Sequence, residues 1–265
     1  MRGEMEKAIG IYDSGVGGLS VLRELTKQLP HHKFLYYADT AHMPYGERSQ
    51  QEIITFSKQI IDFLSRQGAA MIVVACNTSS AIALPTLISR VSVPLLGMIE
   101  PAVSAAGDYK SLGLLATAAT VASGAYAKAV ARAGSVQKIY SVACPKLVPL
   151  VEKGIFHGPQ VRSALTEYTA PLLALGVECI ILGCTHYPFL KEELTEIAAG
   201  KAEILDPARE VAKRAALMAQ SLFLPAEEGS VYYYTSGSAQ GFKELAGKLL
   251  GTEPQSVSRV FLGGE

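Results

Sequence analysis

Two cysteines follow similar apolar runs and have the residue type and position to carry chemistry. Cys76 ends the run MIVVAC, Cys184 ends the run ECIILGC, and polar side chains follow each of them. A buried parallel strand ends in this way when it delivers a side chain into a ligand-binding cleft. Two thiols at such ends would form a matched pair of acid–base groups. That pair is what a reaction needs when it moves a proton from one face of a carbon to the other.

The residues after Cys76 predict a helix that begins beside the thiol. Asn77 and Thr78 follow directly, and both are residue types that favour helix N-termini. Exposed backbone N–H groups and the helix dipole lower the pKa of a thiol placed there. We therefore expect Cys76 to ionise more easily than an ordinary cysteine.

Cys184 has a possible proton-exchange partner in its own loop. Thr185 and His186 follow it, and an imidazole so close in sequence can exchange protons with the thiol. Cys144 and Cys179 are interpreted as packing residues, because a lone cysteine usually behaves as a small buried hydrophobe. The chain has no Cys-x-x-Cys pair, and no metal site is predicted.

Further loops carry candidate ligand-binding groups, although each could also be an ordinary turn or helix cap. The glycines of DSGVGGLS permit close backbone approach to a ligand, and Asp13 could orient an ammonium group or assist a thiol. Backbone N–H groups and the tyrosine hydroxyl of Pro44-Tyr45-Gly46 could hold a carboxylate. Thr117 and Thr120 offer hydroxyls after another strand, whereas Glu152 is open to interpretation as a plain surface residue.

Strand and helix patterns alternate along the chain and predict an α/β fold with two similar lobes. Four strand-like segments precede Pro101, and the pattern then restarts with SLGLLAT, KIYSVAC, ECIILGC and AEILDP. Strands separated by helices imply parallel sheets with right-handed crossovers. We expect a discontinuous first lobe, residues 1–97 and 208–265, and a second lobe of residues 98–207. The helix QVRSALTEYTAPLLALG is expected to be interrupted at its proline.

The amino-acid composition limits the classes of protein to which this chain can belong. Of 265 residues, 49% are hydrophobic and 18% are charged, which is typical of a globular chain. The 24 basic and 24 acidic residues cancel, and without a basic block nucleic-acid binding has little electrostatic support. Neither a signal peptide nor a membrane-spanning segment is recognisable, so we expect a cytoplasmic protein with reduced thiols and no membrane partner.

Six motifs taken in order resemble those of the glutamate racemases, within the cofactor-independent aspartate/glutamate racemase superfamily. They cover the chain to about residue 207 and read GIYDSGVGGLSVL, YYADTAHMPYG, VVACNTSSA, GLLATAATVASGAY, ACPKLVPLVEKG and ILGCTHYPF. The GCTHYP tail favours a glutamate over an aspartate racemase.

The resemblance implies an active site between the two lobes, with Cys76 and Cys184 as the acid–base residues. It implies that Cys184 acts on L-glutamate, that Cys76 acts on D-glutamate, and that Asp13 and His186 tune the thiols. No PLP or metal would take part, D-glutamate would supply peptidoglycan synthesis, and a homodimer is plausible. The residues implied around the amino-acid substrate are Asp13, Ser14, Pro44, Tyr45, Gly46, Asn77, Thr78, Thr117, Thr120, Thr185 and His186.

Three alternatives remain open from the sequence. An aspartate racemase or another two-cysteine amino-acid racemase would use the same thiols with a different pocket size. A small-molecule binding protein would have two lobes around a cleft but would not need thiols at its strand ends. A redox protein would join Cys76 and Cys184 in a disulfide, which thiols facing each other across a substrate are too far apart to form without closure.

Overall fold

Parallel β-strands separated by helices make up the protein, as the alternating pattern predicted. The computed structural model describes residues 7–134, 138–226 and 228–262. The strands in this part of the chain are β1 (Ala8–Asp13), β2 (Lys33–Ala38), β3 (Ala69–Val74), β4 (Leu95–Leu96), β5 (Ser111–Ala116), β6 (Lys138–Ala143), β7 (Cys179–Gly183), β8 (Glu203–Leu205), β9 (Ser230–Thr235) and β10 (Val257–Arg259).

The strands form two sheets whose paired neighbours all run parallel. The first has the order β10-β9-β2-β1-β3-β4, and the second has the order β6-β5-β7-β8. The predicted α/β class with two lobes is therefore confirmed. The lobe boundaries remain a prediction, with strands of the first sheet drawn from residues 8–96 and 230–259 and those of the second from 111–205.

Helices flank both sheets. They are α1 (Leu19–Gln28), α2 (Gln50–Arg66), α3 (Asn77–Ile82), α4 (Leu84–Leu87), α5 (Ile99–Ala105), α6 (Ala118–Ser123), α7 (Ala125–Arg132), α8 (Leu147–Glu152), α9 (Pro159–Ala174), α10 (Lys191–Ala198), α11 (Ala208–Ser221) and α12 (Ala239–Leu250). Short 3₁₀ turns lie at Tyr45–Glu47 and Tyr187–Leu190. None of the helices in the described residues is long and apolar enough to cross a membrane.

Local sequence explains where the longest helix begins and which face it buries. Ser49 accepts a hydrogen bond from the backbone of Glu52, and the Glu52 side chain accepts one from the backbone of Ser49, which forms a capping box. Ile53, Ile60 and Leu64 recur at helical spacing and are fully or almost fully buried. The helix α2 therefore packs its apolar stripe against the first sheet.

The proline in α9 does not interrupt the helix, contrary to the sequence-based expectation. Pro171 lies inside α9, which continues to Ala174. A helical proline removes the hydrogen bond to the carbonyl four residues earlier, here that of Glu167. Glu167 is exposed, so water can satisfy that carbonyl, and the helix continues.

Strand register brings the predicted site residues to one edge of each sheet. Asp13 pairs with Ala38, and Tyr12 pairs with Val74, so the chain leaves β1, β2 and β3 at the same edge. In the second sheet Ala116 pairs with Gly183, which sets Thr117 and Cys184 at neighbouring strand ends. The carboxyl ends of parallel strands are where α/β folds bind ligands.

Candidate active site

The two cysteines meet at one small cavity between the sheets. Its volume is about 20 Å³, and both thiols are free and buried. All predicted site residues except Asp13 and Thr120 line it, together with Val148. The lining residues are Ser14, Pro44, Tyr45, Gly46, Cys76, Asn77, Thr78, Thr117, Val148, Cys184, Thr185 and His186. A cavity of this size holds about one water molecule, so the site is closed.

Cys76 lies at the start of α3, beside hydroxyl and backbone N–H groups. Its Sγ accepts a hydrogen bond from the backbone N–H of Ser79 at 3.5 Å and lies 3.8 Å from the Ser14 hydroxyl. Burial, aided by the charge of Asp13, raises the pKa of the Cys76 thiol to about 11. The expected lowering of this pKa was wrong, because desolvation of the thiolate outweighs the few donors beside it.

Cys184 is paired with an imidazole that is itself paired with a carboxylate. His186 Nδ1 lies 3.7 Å from Cys184 Sγ, and His186 Nε2 lies 2.6 Å from Glu152 Oε1. Burial alone would lower the pKa of His186, but its hydrogen bonds to Cys184 and Glu152 outweigh burial and raise this pKa well above the usual value. The ring is therefore held in the imidazolium form beside the Cys184 sulfur.

Glu152 is part of this site, which corrects its interpretation as a plain surface residue. Its side chain is only 13% exposed, and Oε1 also accepts a hydrogen bond from the Val16 backbone at 3.4 Å. Val148, one turn earlier in α8, lines the cavity. Sequence reasoning left the role of Glu152 open and missed Val148, since their one signal was their place in the motif ACPKLVPLVEKG.

Asp13 lies behind the cavity and links the two lobes. Its Oδ1 accepts a hydrogen bond from the Gly15 backbone at 2.9 Å, and its Oδ2 accepts one from the Thr185 hydroxyl at 3.0 Å. Burial raises the pKa of Asp13 despite the opposing effects of His186 and these donors. The carboxylate thus contacts the loop of Cys184, while its charge disfavours a thiolate on Cys76.

A group of hydroxyls and an amide offers hydrogen-bond donors on the other side of the cavity. Thr78 lies 2.9 Å from Thr117 and 3.3 Å from Thr120, which is buried behind the lining. Asn77 Oδ1 accepts a hydrogen bond from Tyr126 at 2.7 Å. Asn77 Nδ2 is buried and has no hydrogen-bond partner within the described residues, so it can donate to a ligand.

The loop after β2 contributes ring and backbone surface rather than a free hydroxyl. Tyr45 donates its hydroxyl to Asp39 Oδ2 at 2.5 Å, and His42 Nδ1 lies 2.9 Å from Asp39 Oδ1. The Tyr45 hydroxyl is therefore already used, which corrects the expectation that it holds a carboxylate. Pro44, Tyr45 and Gly46 all line the cavity.

No group of three or more His, Cys, Asp or Glu side chains within residues 7–134, 138–226 and 228–262 is arranged to hold a metal ion. Two thiols that line one cavity are able to supply acid–base chemistry. Hydrogen-bond donors surround the thiols, and a preformed donor set can stabilise developing negative charge when water is excluded.

Comparisons with known proteins identify the relatives of this chain. Residues 13–215 match the family model described as Asp/Glu/hydantoin racemase. A glutamate racemase of Desulforudis audaxviator is 42% identical, over 96% of this chain and 97% of the relative. The crystal structure of a Bacillus anthracis glutamate racemase isoform superposes with a TM-score of 0.94 at 32% identity, covering 98% and 100% of the two chains. A Francisella tularensis glutamate racemase, solved with D-glutamate, has a TM-score of 0.90 at 30% identity and coverage of 97% and 98%.

Proposed function

Because this chain belongs to the Asp/Glu/hydantoin racemase family, we propose that it interconverts L- and D-glutamate by proton transfer between Cys76 and Cys184. One observation carries the mechanism: a buried thiol at a strand end of each sheet lines the same closed cavity. One thiolate removes the Cα proton, and the opposite thiol delivers a proton to the other face. The enzyme is thus an amino-acid racemase, and in this family D-glutamate supplies peptidoglycan.

The donors that line the cavity have a specific task in this reaction. A Cα proton next to a carboxylate is very weakly acidic, so the charge that builds on the α-carboxylate must be stabilised. The side chains proposed to do so are those of Asn77, Thr78, Thr117 and Thr185. The unpartnered Asn77 Nδ2 supports this assignment, because a bound carboxylate would supply the acceptor that it lacks.

We assign the two directions of the reaction to different thiols, in line with the family resemblance. Cys184, next to the imidazolium of His186, is the base for L-glutamate. Cys76 is the base for D-glutamate and the acid for the L-to-D direction, where its high pKa keeps it protonated. Glu152 is a positioning residue, since it holds His186 in the charged form through a 2.6 Å contact.

Substrate access requires the lobes to separate. The cavity of about 20 Å³ has room for a water molecule but not for glutamate. A second cavity of about 60 Å³ shares four of its lining residues, Pro44, Gly46, Thr117 and Val148. We propose that widening this path admits the substrate, and that reclosure excludes water during proton transfer.

Glutamate is favoured over aspartate as the substrate. The relatives at about 40% identity are named glutamate racemases, and the Francisella enzyme was solved with D-glutamate. Proton NMR of equimolar L-glutamate and L-aspartate in D₂O tests the choice directly. We expect selective loss of the glutamate Cα signal as deuterium replaces hydrogen.

Other experimental outcomes would indicate a different substrate, a different function or a different mechanism. Selective loss of the aspartate signal would identify an aspartate racemase. Persistence of both signals with reduced, folded protein would contradict racemisation and favour a binding protein. A Cys76→Ala variant that racemises glutamate at an unchanged rate would exclude the two-thiol mechanism.

A further inference from the structure

Tyr126 contacts a residue of the catalytic cavity without lining the cavity itself. Its side chain is buried, and its hydroxyl donates a hydrogen bond to Asn77 Oδ1 at 2.7 Å. Asn77 lines the cavity at the start of α3, after a strand of the first sheet, whereas Tyr126 lies in α7, between two strands of the second. The hydrogen bond therefore joins the two lobes, and the reaction described so far gives Tyr126 no task.

This hydrogen bond determines which end of the Asn77 amide is already in use. Oδ1 accepts from Tyr126, while Nδ2 is buried and has no partner in the part of the chain that the structure describes. Burial raises the pKa of Tyr126, with smaller contributions from Cys184 and Glu100, so its hydroxyl stays protonated and can donate. The acceptor end of the amide is thus occupied, and the donor end is left for a ligand.

An amide depends on its orientation more than a hydroxyl does. The hydroxyls of Thr78 and Thr117 lie 2.9 Å apart, and each can rotate to donate or to accept. An amide has one donor end and one acceptor end, so turning the Asn77 amide over would present Oδ1 to the substrate. The partial negative charge of Oδ1 would then repel the α-carboxylate, which gains negative charge during proton transfer.

We propose that Tyr126 is a positioning residue that orients Asn77 Nδ2 towards the carboxylate of the substrate. Nδ2 then donates to that carboxylate, while Oδ1 stays hydrogen-bonded to Tyr126. Both polar atoms of the amide have a partner in this arrangement, as buried polar groups nearly always do. The proposal rests on the two-thiol racemase proposed above.

The test is a double-mutant cycle of Tyr126→Phe and Asn77→Ala, with kcat measured for L- and for D-glutamate. Asn77→Ala removes the donor and should lower kcat about 10²-fold, as loss of an oxyanion donor does. Tyr126→Phe keeps the donor but not its orientation, and it should lower kcat about fivefold, the effect of one neutral hydrogen bond.

Two features of the cycle distinguish orientation of the amide from a general structural role. The α-carboxylate is the same group in both enantiomers, so each variant should lower kcat by the same factor in both directions. In the Asn77→Ala background Tyr126→Phe has no amide to orient. The double variant should therefore keep kcat within about twofold of Asn77→Ala alone.

Tyr37→Phe is the matched control. Tyr37 is also fully buried, and its hydroxyl donates to the Val260 carbonyl at 2.8 Å, but it does not line the catalytic cavity. The variant loses a comparable neutral hydrogen bond, so its melting temperature should fall as in Tyr126→Phe, whereas kcat should stay at the wild-type value. An equal loss of kcat in Tyr37→Phe and Tyr126→Phe would show that reduced stability is the cause, and the proposal would be wrong.

The remaining outcomes are equally decisive. Wild-type kcat in Tyr126→Phe, or a further fivefold loss on adding it to Asn77→Ala, would overturn the proposal. A loss confined to one direction would also overturn it, because that result would indicate an effect on Cys184 instead.

Should Tyr126→Phe fail to fold, Asn77→Asp tests the orientation. This variant keeps an acceptor for Tyr126 but replaces the donor with a second acceptor, so its kcat should fall below that of Asn77→Ala. A kcat at or above that of Asn77→Ala would contradict the assigned orientation. Absence of racemisation in the folded wild-type protein would instead contradict the proposed function itself.

Discussion

The two halves of the site place a thiol at the same structural position but surround it differently. Cys76 follows a strand of the six-stranded sheet and is surrounded by hydroxyl and backbone donors. Cys184 follows a strand of the four-stranded sheet and contacts an imidazolium that Glu152 supports. Equivalent position therefore does not give an equivalent environment, and neighbouring charge and burial are what set a thiol's pKa.

This difference suits a reaction that needs one acid and one base at a time. At neutral pH Cys76 is a thiol, since burial raises its pKa to about 11, while Cys184 Sγ contacts the imidazolium of His186. In the proposed mechanism Cys76 can therefore act as the acid for L-glutamate, whereas the D-to-L direction requires it to lose its proton first.

Removing either thiol should have the largest effect. We expect Cys76→Ala and Cys184→Ala each to lower kcat by about 10²–10⁴-fold, the range for loss of a general acid or base. Cys179→Ala is the control, because Cys179 is buried at the start of the strand that precedes Cys184 but does not line the cavity. Circular dichroism of glutamate can follow turnover, and loss of activity in Cys179→Ala alone would contradict the assignment.

Glu152→Gln should impair only the proton transfer in which Cys184 is the proposed base. Loss of the carboxylate charge lowers the pKa of His186, so the imidazolium disappears at a lower pH. The alkaline fall of kcat for L-glutamate should therefore begin at lower pH, with a loss of about tenfold at pH 8, or about 1.4 kcal/mol.

Glu167→Gln is the control for this prediction. Glu167 forms an exposed ion pair with Lys146, which contributes little. An alkaline limb that stays unmoved in Glu152→Gln would show that the carboxylate does not hold the charge on His186.

Removing a hydrogen bond that links the lobes should have the smallest effect. The loss should be larger where the partner is a carboxylate than where both groups are neutral. Thr185→Val removes a donor from the buried Asp13 carboxylate, and we expect it to lower the free energy of unfolding by about 1–3 kcal/mol. Tyr126→Phe removes a neutral hydrogen bond to Asn77 and should cost about 1 kcal/mol. Urea denaturation measures the free energy of unfolding of both variants. A larger loss in Tyr126→Phe than in Thr185→Val would contradict the expected order.

Strand ends and the residues that follow them were predictable from sequence. Cys184 and Thr117 come directly after a buried strand, and Cys76 comes two residues after one, as their apolar runs predicted. Parallel pairing then brings such ends to one edge of a sheet without any further information. For that reason most predicted residues line one cavity.

Specific pairings between side chains were not predictable. Glu152 and His186 are 34 positions apart, and only the packing of α8 against the loop after β7 brings them to 2.6 Å. The hydroxyl of Tyr45 was expected to face a ligand, but the buried Asp39 carboxylate binds it instead. Neither pairing leaves a periodic or spacing signal in the sequence.

The sequence by itself determined which side chains reach the cavity, because strand period, helix caps and turns are local properties. The tertiary structure alone decided how acidic those side chains are. The pKa of Cys76 rises because the folded protein removes water from all sides of the thiol, although helix-capping residues predicted the opposite. Desolvation and charge depend on every neighbour in three dimensions, so the difference between the two thiols arises only in the folded chain.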